Sequence, residues 1–488
     1  MKIKELWNKI RKGVKAGMAA ATESNVLTDN RVVSMIEKFK ASGKYELMQE
    51  GERYYQADND IKNRKITRKV DGHKEEETWR ANNKLAHAKY KIQVDEKIAY
   101  LLTKPVTYKT DGTDKNDTYV EKVKDVLGKH FQYQLTQLGY EASNKGIGWL
   151  HVYLDPEGEL KTIVIPAEQC IPYWSDRSHT ELDAMIRVYN TTVWQYNQEK
   201  EITNVEIWTK DGVKYYRLEG QMLVYDNDKS MDAGGPVAHY KSVEEWKTWG
   251  KVPFIPFKNN QIEMPDIKFV KSLIDGYDLG RSEAANYMDE VKNLIFVLKG
   301  YGGQKQLNED RAILIDDAED GGVDTLTPQM DITALREHYE QLNRDIVESG
   351  QSVNKDLDKF GSAPSGVALK FMYSSLDLKC NLMETEFSRG FELLLYFVDL
   401  YLQISGHGYY EKIDVELVFN RDMAINEAEQ IQNCSNSQGI ISDETLIAHH
   451  PFVSDVEEEL EALKRQKEEY SPSWDQAPIV KDGGNGEE

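Results

Sequence analysis

The stretch GVALKFMYSSLDLKCNLMETEFSRGFELLLYFVDLYLQ, residues 366–403, decides the fold of this chain. It contains no proline, and its apolar residues recur at intervals of three or four. That spacing places them on one stripe of an α-helix. The stripe consists of Leu369, Met372, Leu376, Cys380, Met383, Phe387, Phe391, Leu394, Val398 and Leu402.

A helix of this length is unusual in a globular domain. At 1.5 Å per residue it is roughly 57 Å long, against the three or four turns that are typical. Most helical stability in proteins comes from the packing of an amphipathic face. We therefore expect packing partners along the whole helix, supplied by this chain or by copies of it.

Two further helices are predicted just before it. Residues 266–294 and 331–349 both carry apolar residues at helical spacing, although Gly276 and Gly280 weaken the first prediction. Between them, residues 295–298 and 312–315 have the composition of short strands. The predicted order of elements in this part of the chain is therefore a helix, a small β module, a second helix, a loop and the very long helix.

The first half of the chain predicts an α+β region. Helices are expected within residues 30–60 and over residues 82–102 and 119–143. An antiparallel sheet is expected between residues 146 and 266, and a late strand at residues 413–419 is expected to join it. The predicted strands are 149–154, 160–166, 184–189, 205–209, 214–218, 222–225 and 253–257.

The two ends of the chain have distinct compositions. Residues 1–20 predict a basic amphipathic helix that docks on its own domain, on a neighbour or on a membrane surface. Near the other end, Ser442 is expected to cap a helix from Asp443, and Ser454 with Glu457 forms a capping box for another. From Ser471 onward the composition is typical of a disordered tail.

Charge and length exclude several classes of protein. The 488 residues carry a formal net charge of −22, so the average surface does not bind nucleic acid. No segment has the ~18 consecutive apolar residues of a membrane span. The three cysteines have unrelated spacings, which excludes a disulfide framework and a C-x-x-C metal pair.

Recognisable catalytic motifs do not occur in the sequence. The glycines of residues 361–366 have phosphate-loop spacing, but Val367 and Ala368 stand where that motif needs Lys and Ser or Thr. An acidic cluster in the β module is either a divalent-cation site or a turn that faces solvent or a pore. Its members are Asp316, Asp317, Glu319, Asp320 and Asp324. We expect a non-enzymatic, multi-domain, oligomeric protein that needs no cofactor.

A series of short stretches along the chain has a recognisable order and spacing. They are residues 82–87, 94–102 with Lys104-Pro105, 253–260, 269–275 running to 297–300, 365–370 and 439–445. Taken in this order, they resemble the portal proteins of tailed double-stranded DNA phages, in the subfamily common among siphophages of Gram-positive hosts. The resemblance covers residues 40–470, and no single motif decides it. Thr103 stands where that family usually has Gly before Lys-Pro.

The resemblance implies a portal fold with an α+β wing, a helical stem, a small β-containing clip, a very long kinked helix and a helical crown. The implied divisions are an N-terminal arm (1–39), wing (40–264), stem helix (265–294), clip (295–330), second stem helix (331–350), tunnel loop (351–365), long wing helix (366–403), returning wing strand (404–424), crown (425–470) and disordered tail (471–488).

The resemblance also implies the function and the partners. It implies a ring of twelve copies at one capsid vertex, assembled in the host cytoplasm, with a central channel for double-stranded DNA and no contact with a membrane. The implied protein partners are the large terminase, the major capsid and scaffolding proteins, and a head-completion or adaptor protein. A ring of inclined helices would supply the packing partners that the long helix needs.

An acidic channel wall repels the phosphate backbone, so grip on DNA has to come from a few local residues. In the implied tunnel loop Lys355 and Lys359 are the basic candidates, and we expect Phe360 and Pro364 to press on the duplex sterically. Alternatively, both lysines pair with Asp356 and Asp358. The acidic cluster of the β module is assigned to the clip, as a surface for docking partners.

Two other functions stay open at this stage. One is a metal-dependent enzyme acting on nucleic acid through the carboxylates of residues 316–324. The other is an oligomeric scaffold that binds partners through its helices.

Overall fold

The computed structural model is a mixed helix and sheet chain with small sheets and one very long helix, which confirms the α+β prediction. The structure describes residues 27–70, 72–78, 80–110, 114–195, 198–229, 235–242, 245–291, 295–299, 312–315, 322–326, 332–353, 366–410, 413–421, 427–453 and 456–469. The predicted helix at residues 1–20 and the predicted tail from residue 471 lie outside these ranges.

The helices within the described residues are α1 (Asp29–Lys40), α2 (Gly43–Tyr55), α3 (Lys89–Leu102), α4 (Asp114–Leu127), α5 (His130–Lys145), α6 (Ile267–Val291), α7 (Ile332–Ser349), α8 (Gly366–Ile404), α9 (Glu427–Asn436), α10 (Asp443–Ala448) and α11 (Val456–Glu469). The predicted helices at 266–294, 331–349 and 366–403 are confirmed as α6, α7 and α8.

The strands are β1 (Thr67–Val70), β2 (His73–Glu76), β3 (Thr107–Lys109), β4 (Ile147–Leu154), β5 (Leu160–Ile165), β6 (Cys170–Trp174), β7 (Leu182–Gln195), β8 (Gln198–Thr209), β9 (Gly212–Glu219), β10 (Met222–Tyr225), β11 (Tyr240–Ser242), β12 (Glu245–Lys247), β13 (Phe254–Lys258), β14 (Ile295–Lys299), β15 (Ala312–Ile315), β16 (Gly322–Leu326) and β17 (Glu416–Val418).

Most strands of the predicted α+β region lie in two antiparallel sheets, while β1 pairs with β2 and β11 with β12 in separate two-stranded sheets. Of the two larger sheets, one is a five-stranded meander in the order β10-β9-β8-β7-β6, and the other is three-stranded in the order β13-β4-β5. Each has an apolar core: Trp149 and Phe254 lie in the core that the three-stranded sheet shares with β6 and β7, and Ile186 and Val205 in that of the meander. The predicted single sheet is therefore two sheets.

The predicted stripe of α8 is confirmed, because nine of its ten residues are buried and Leu369 is half-buried. The expectation that copies of the chain cover it is wrong. From Leu376 onward the same chain covers it: the ring of Phe387 lies 5.1 Å from that of Phe257 on β13, and the ring of Phe391 lies 5.7 Å from that of Tyr108 on β3. The stripe is therefore a core feature of one copy, and it gives no argument for assembly.

The predicted helix over residues 82–102 begins only at Lys89. The preceding residues are extended because polar side chains of α6, four residues apart, accept hydrogen bonds from every second backbone N–H. The N–H groups of Asn83 and Leu85 donate to Asn286 Oδ1 at 2.6 Å and to Ser282 Oγ at 3.0 Å. The N–H of His87 donates to Asp278 Oδ1 at 3.1 Å.

Two other boundaries also differ from prediction. The single helix expected over residues 119–143 is two helices, α4 and α5, because Gly128 between them has a left-handed φ of +62°. The late strand is shorter than expected, and β17 pairs with β3 in a separate two-stranded sheet. It therefore returns to the predicted wing region without joining either larger sheet.

The small β module between α6 and α7 is confirmed and contains a third strand. The order is β15-β14-β16, with β15 parallel and β16 antiparallel to β14. The third strand, β16, begins at Gly322.

The chain divides into two compact units. The first comprises residues 1–353 and 375–422, and the second residues 354–374 and 423–488. Within the second, Ser442 caps α10 as predicted, because its Oγ accepts a hydrogen bond from the N–H of Thr445 at 3.3 Å. The N–H of Gly366 donates to the Glu429 carboxylate at 2.6 Å, which joins the start of α8 to α9.

Candidate functional site

Most of the residues that the sequence analysis predicts to be functional lie outside the described parts of the chain. This holds for Lys355, Lys359, Phe360 and Pro364 of the expected tunnel loop. It also holds for Asp316, Asp317, Glu319 and Asp320 of the expected clip surface. Asp324 lies on β16, where its backbone is paired opposite Val297 of β14. Their assignments stay predictions.

The structure does describe the segment that leads into residues 354–365. Gln93 of α3 donates from Nε2 to the carbonyl of Ile346, 2.8 Å away, near the end of α7. One turn along α3, the Glu96 carboxylate accepts hydrogen bonds from Ser352 Oγ and from the N–H of Val353. Gln351 between them has a left-handed φ of +50°, so the chain turns sharply as it leaves α7. We call residues 346–353 the loop root.

A buried charge cluster lies beside the loop root and joins three helices. Lys97 of α3 lies 3.0 Å from the carboxylate of Asp266, the residue that precedes α6. Lys379 of α8 lies 3.1 Å from the same carboxylate and also donates to the carbonyl of Gly350 at 2.9 Å. Asn259 completes the cluster by donating to Asp266 at 2.9 Å and accepting from Lys97.

Burial and mutual attraction oppose each other in this cluster. Only 1% of Lys97 and 5% of Asp266 are exposed. Burial alone would raise the pKa of Asp266, but the ammonium groups of Lys379 and Lys97 outweigh it and lower the pKa to about 2. For Lys97 burial is the larger effect, and it lowers the pKa. The cluster holds its charges through fixed partners rather than through water, so it positions the loop root rigidly.

The two helices that flank the β module contact each other through a glycine. Tyr339 of α7 donates its hydroxyl proton to the carbonyl of Gly280 on α6, 2.6 Å away. A Cβ at Gly280 would lie 2.7 Å from Cε1 of Tyr339, so the close approach depends on this glycine. The low helix propensity of glycine weakened the prediction of a helix at Gly280. The close packing of Tyr339 against this position explains why a glycine occurs there.

Sequence reasoning missed the residues of the charge cluster and of the loop root. Charged residues are usually on solvated faces, so the sequence alone does not single out Glu96, Lys97 or Lys379. One signal was available, because Lys97 lies among Val94, Ile98 and Leu101 on the apolar face of its helix. A lysine at such a position has to be paired when the face is buried.

Two other kinds of site, a metal centre and a membrane span, do not occur within the described ranges. No group of three or more His, Cys, Asp or Glu side chains there is placed to hold a metal ion. No helix there is long and apolar enough to cross a membrane.

Comparison with known proteins identifies the family. The family model described as "Phage portal protein, SPP1 Gp6-like" matches residues 41–473. The chain belongs to this family of phage portal proteins. A portal protein of this family is a structural component of the virion, part of an oligomeric assembly that joins the phage head to the tail.

Two curated relatives span most of the portal chain. The portal protein of Bacillus phage SPP1 is 31% identical over 447 residues, which cover 90% of this chain and 87% of the relative. The portal protein of Clostridium phage phiCD119 is 32% identical over 437 residues, which cover 86% of this chain and 92% of the relative.

Among solved structures, a chain from the neck of a native GTA particle, computed with C12 symmetry, matches with a TM-score of 0.34 at 11% identity. The match covers 74% of the portal chain and 88% of that chain. So low a score supports no argument about this protein.

Proposed function

We propose that twelve copies of this chain form a ring at one vertex of the capsid, with an axial channel through which double-stranded DNA is packaged and later ejected. The observation that carries the proposal is the family match over residues 41–473, which leaves little of the chain outside a portal protein. The ring is passive: the chain binds and guides DNA and partners, and it performs no catalysis.

The described geometry supports the assignment of residues 351–365 as the tunnel loop. Glu96, Lys379 and the charge cluster hold the loop root on one side. On the other side the chain enters α8, whose first N–H is bonded to Glu429. In this proposal residues 354–365, which join these two segments, contact the duplex. Lys355, Lys359, Phe360 and Pro364 supply its contacts, while the acidic chain elsewhere repels phosphate.

The contact between α6 and α7 supports their assignment as the stem, because the β module that links them then lies at the end of a helix pair. In this proposal β14–β16 form the clip, α9–α11 the crown, and the two larger sheets with α8 the wing. In this proposal the docking partners bind to the clip carboxylates, which are Asp316, Asp317, Glu319, Asp320 and Asp324. Those partners are the large terminase during packaging and a head-completion or adaptor protein afterwards, while the wing meets the major capsid and scaffolding proteins during assembly in the host cytoplasm.

Native mass measurement and electron microscopy of the purified full-length chain test the ring. We expect a closed ring of twelve copies with an axial hole at physiological salt. A chain that stays monomeric at high concentration would overturn the proposal. Supplying the chain to a phage that lacks its own portal gene tests the channel, and the expected result is restored DNA-filled heads.

A further inference from the structure

Helix α8 carries a second set of apolar residues, separate from its buried stripe. Leu378 and Leu382 are 63% and 61% exposed and lie one turn apart. A surface helix of a folded chain normally presents one apolar stripe to its own core and polar residues to water. Exposed apolar residues that cluster with others mark a surface on which another molecule binds.

Leu382 does cluster with others, at a groove in the first of the two units. Ile262 and Phe269, which are 67% and 52% exposed, line the same groove near the start of α6. The volume of the groove is about 660 Å³, and we call it the α8 groove. Its other wall includes Gly350 and Gln351 of the loop root.

The charge of the groove differs in sign from that of the chain. Basic residues outnumber acidic ones among its charged lining residues, which are Lys97, Lys379, Arg389, Asp266 and Glu386. The whole chain carries −22. Two copies therefore repel each other on average, and contact between them is favoured where one copy offers an apolar surface with a local excess of positive charge.

We infer that the α8 groove is one half of the contact between adjacent copies, and that it receives an apolar side chain flanked by acidic residues from the next copy. This inference rests on the proposed ring. In a ring each copy offers two different surfaces, one to each neighbour, so a concave face on one side is matched by a convex one on the other. Because Gly350 and Gln351 form part of the wall, the neighbour reaches the loop root. Each copy thereby helps to position the tunnel loop of the next.

Assembly of surface variants tests the inference. Leu382→Glu places a negative charge in the groove, and we expect the concentration for half-assembly to rise by at least roughly tenfold. Met222→Glu on β10 is the matched control, since Met222 is 69% exposed and does not line the groove. We expect it to change that concentration by less than about twofold. The thermal unfolding of both dissociated variants should match that of the wild-type chain, because neither residue is in a core.

Cross-linking identifies what occupies the groove. Leu382→Cys in a Cys434→Ser background carries a benzophenone maleimide, with Cys170 and Cys380 protected by burial. Rings are assembled from a mixture of normal and heavy-isotope-labelled chains and then irradiated. We expect cross-linked peptide pairs that join a normal to a heavy chain and that come from a segment with acidic residues.

The possible failures are distinguishable. A wild-type chain that never assembles overturns the proposed ring, and this inference with it. Rings that form as readily with Leu382→Glu as with the wild-type residue overturn the groove alone. Rings in which every cross-link stays within one isotope label also overturn it, because the groove is then filled by its own chain. Cross-links from residue 382 that form only to an added head-completion protein also overturn the groove inference.

Discussion

The ammonium group of Lys97 lies 3.0 Å from the carboxylate of Asp266, and almost no water reaches either side chain. The pair joins α3 to the start of α6, and Lys379 extends the link to α8. In a buried cluster of this kind, removing one charged side chain lowers the free energy of unfolding by more than the intact cluster contributes to it. The reason is that the remaining charges stay buried without their partner.

Removal of the only carboxylate of the cluster tests this directly. Asp266→Asn leaves the buried ammonium group of Lys97 and the partly buried one of Lys379 facing a neutral amide, and we expect the free energy of unfolding to fall by about 3–5 kcal/mol. Urea unfolding at a fixed protein concentration measures it. Asp183→Asn is the control, since Asp183 is exposed, and its effect should stay within about 0.5 kcal/mol. Equal effects of the two variants would show that the cluster is not important for stability.

A second prediction concerns acid stability. Glu263 is buried, which alone would raise its pKa, but Lys44, His179 and Lys258 outweigh burial and lower the pKa from 4.5 to about 2. A carboxyl whose pKa is lower in the folded chain stabilises it above the ordinary pKa, and this stabilisation is lost as the pH falls through the folded value. We therefore expect Glu263 to contribute a loss of stability between about pH 4.5 and pH 2. Melting temperatures of the wild-type chain across that window should fall more steeply than those of Glu263→Gln. Parallel curves would contradict the assignment.

The sequence predicts elements well where local pattern alone determines them. The apolar period of α8 is visible in a stretch of thirty-eight residues, and the predicted strands 149–154 and 160–166 appear as β4 and β5. Residues 82–88 look helical, yet they are extended because Ser282 and Asn286, about two hundred positions away, hold their backbone. No local pattern contains that partner.

The same limit explains the error over the long stripe. Its period shows that the helix is buried on one side, but it does not show which surface covers it. Phe257 and Tyr108 lie far from α8 in the sequence, and only the fold brings them to Phe387 and Phe391. The period also gives no indication of assembly, which only the resemblance to a family implies. Because the buried stripe by itself accounts for the helix, the pattern does not single out the exposed Leu378 and Leu382.

The glycines of α6 give a matched pair of variants. Gly276 has no atom within 4 Å of the position of an added Cβ, whereas an added Cβ at Gly280 lies 2.7 Å from Tyr339. Gly276→Ala should raise the free energy of unfolding by about 0.5–1 kcal/mol through helix propensity. Gly280→Ala gains the same propensity but should lower that free energy by about 1–3 kcal/mol, because it forces α6 and α7 apart. A stabilising Gly280→Ala would show that the two helices do not depend on the close approach.

The last prediction concerns the grip of the channel on DNA. Lys355→Ala combined with Lys359→Ala removes the two basic side chains of the proposed tunnel loop, and we expect rings to assemble normally while the DNA packaged per head decreases. The physical reason is that an acidic channel holds phosphate only through local positive charge. Native mass measurement checks the ring, and the length of DNA extracted from purified heads checks the packaging.

The control variant is Lys65→Ala with Lys69→Ala, on and just before the exposed strand β1. It removes the same charge from another surface and should leave ring assembly and the amount of packaged DNA unchanged. If heads of the loop variant contain a full genome, then Lys355 and Lys359 act by pairing with Asp356 and Asp358, and the grip on DNA lies elsewhere in the channel.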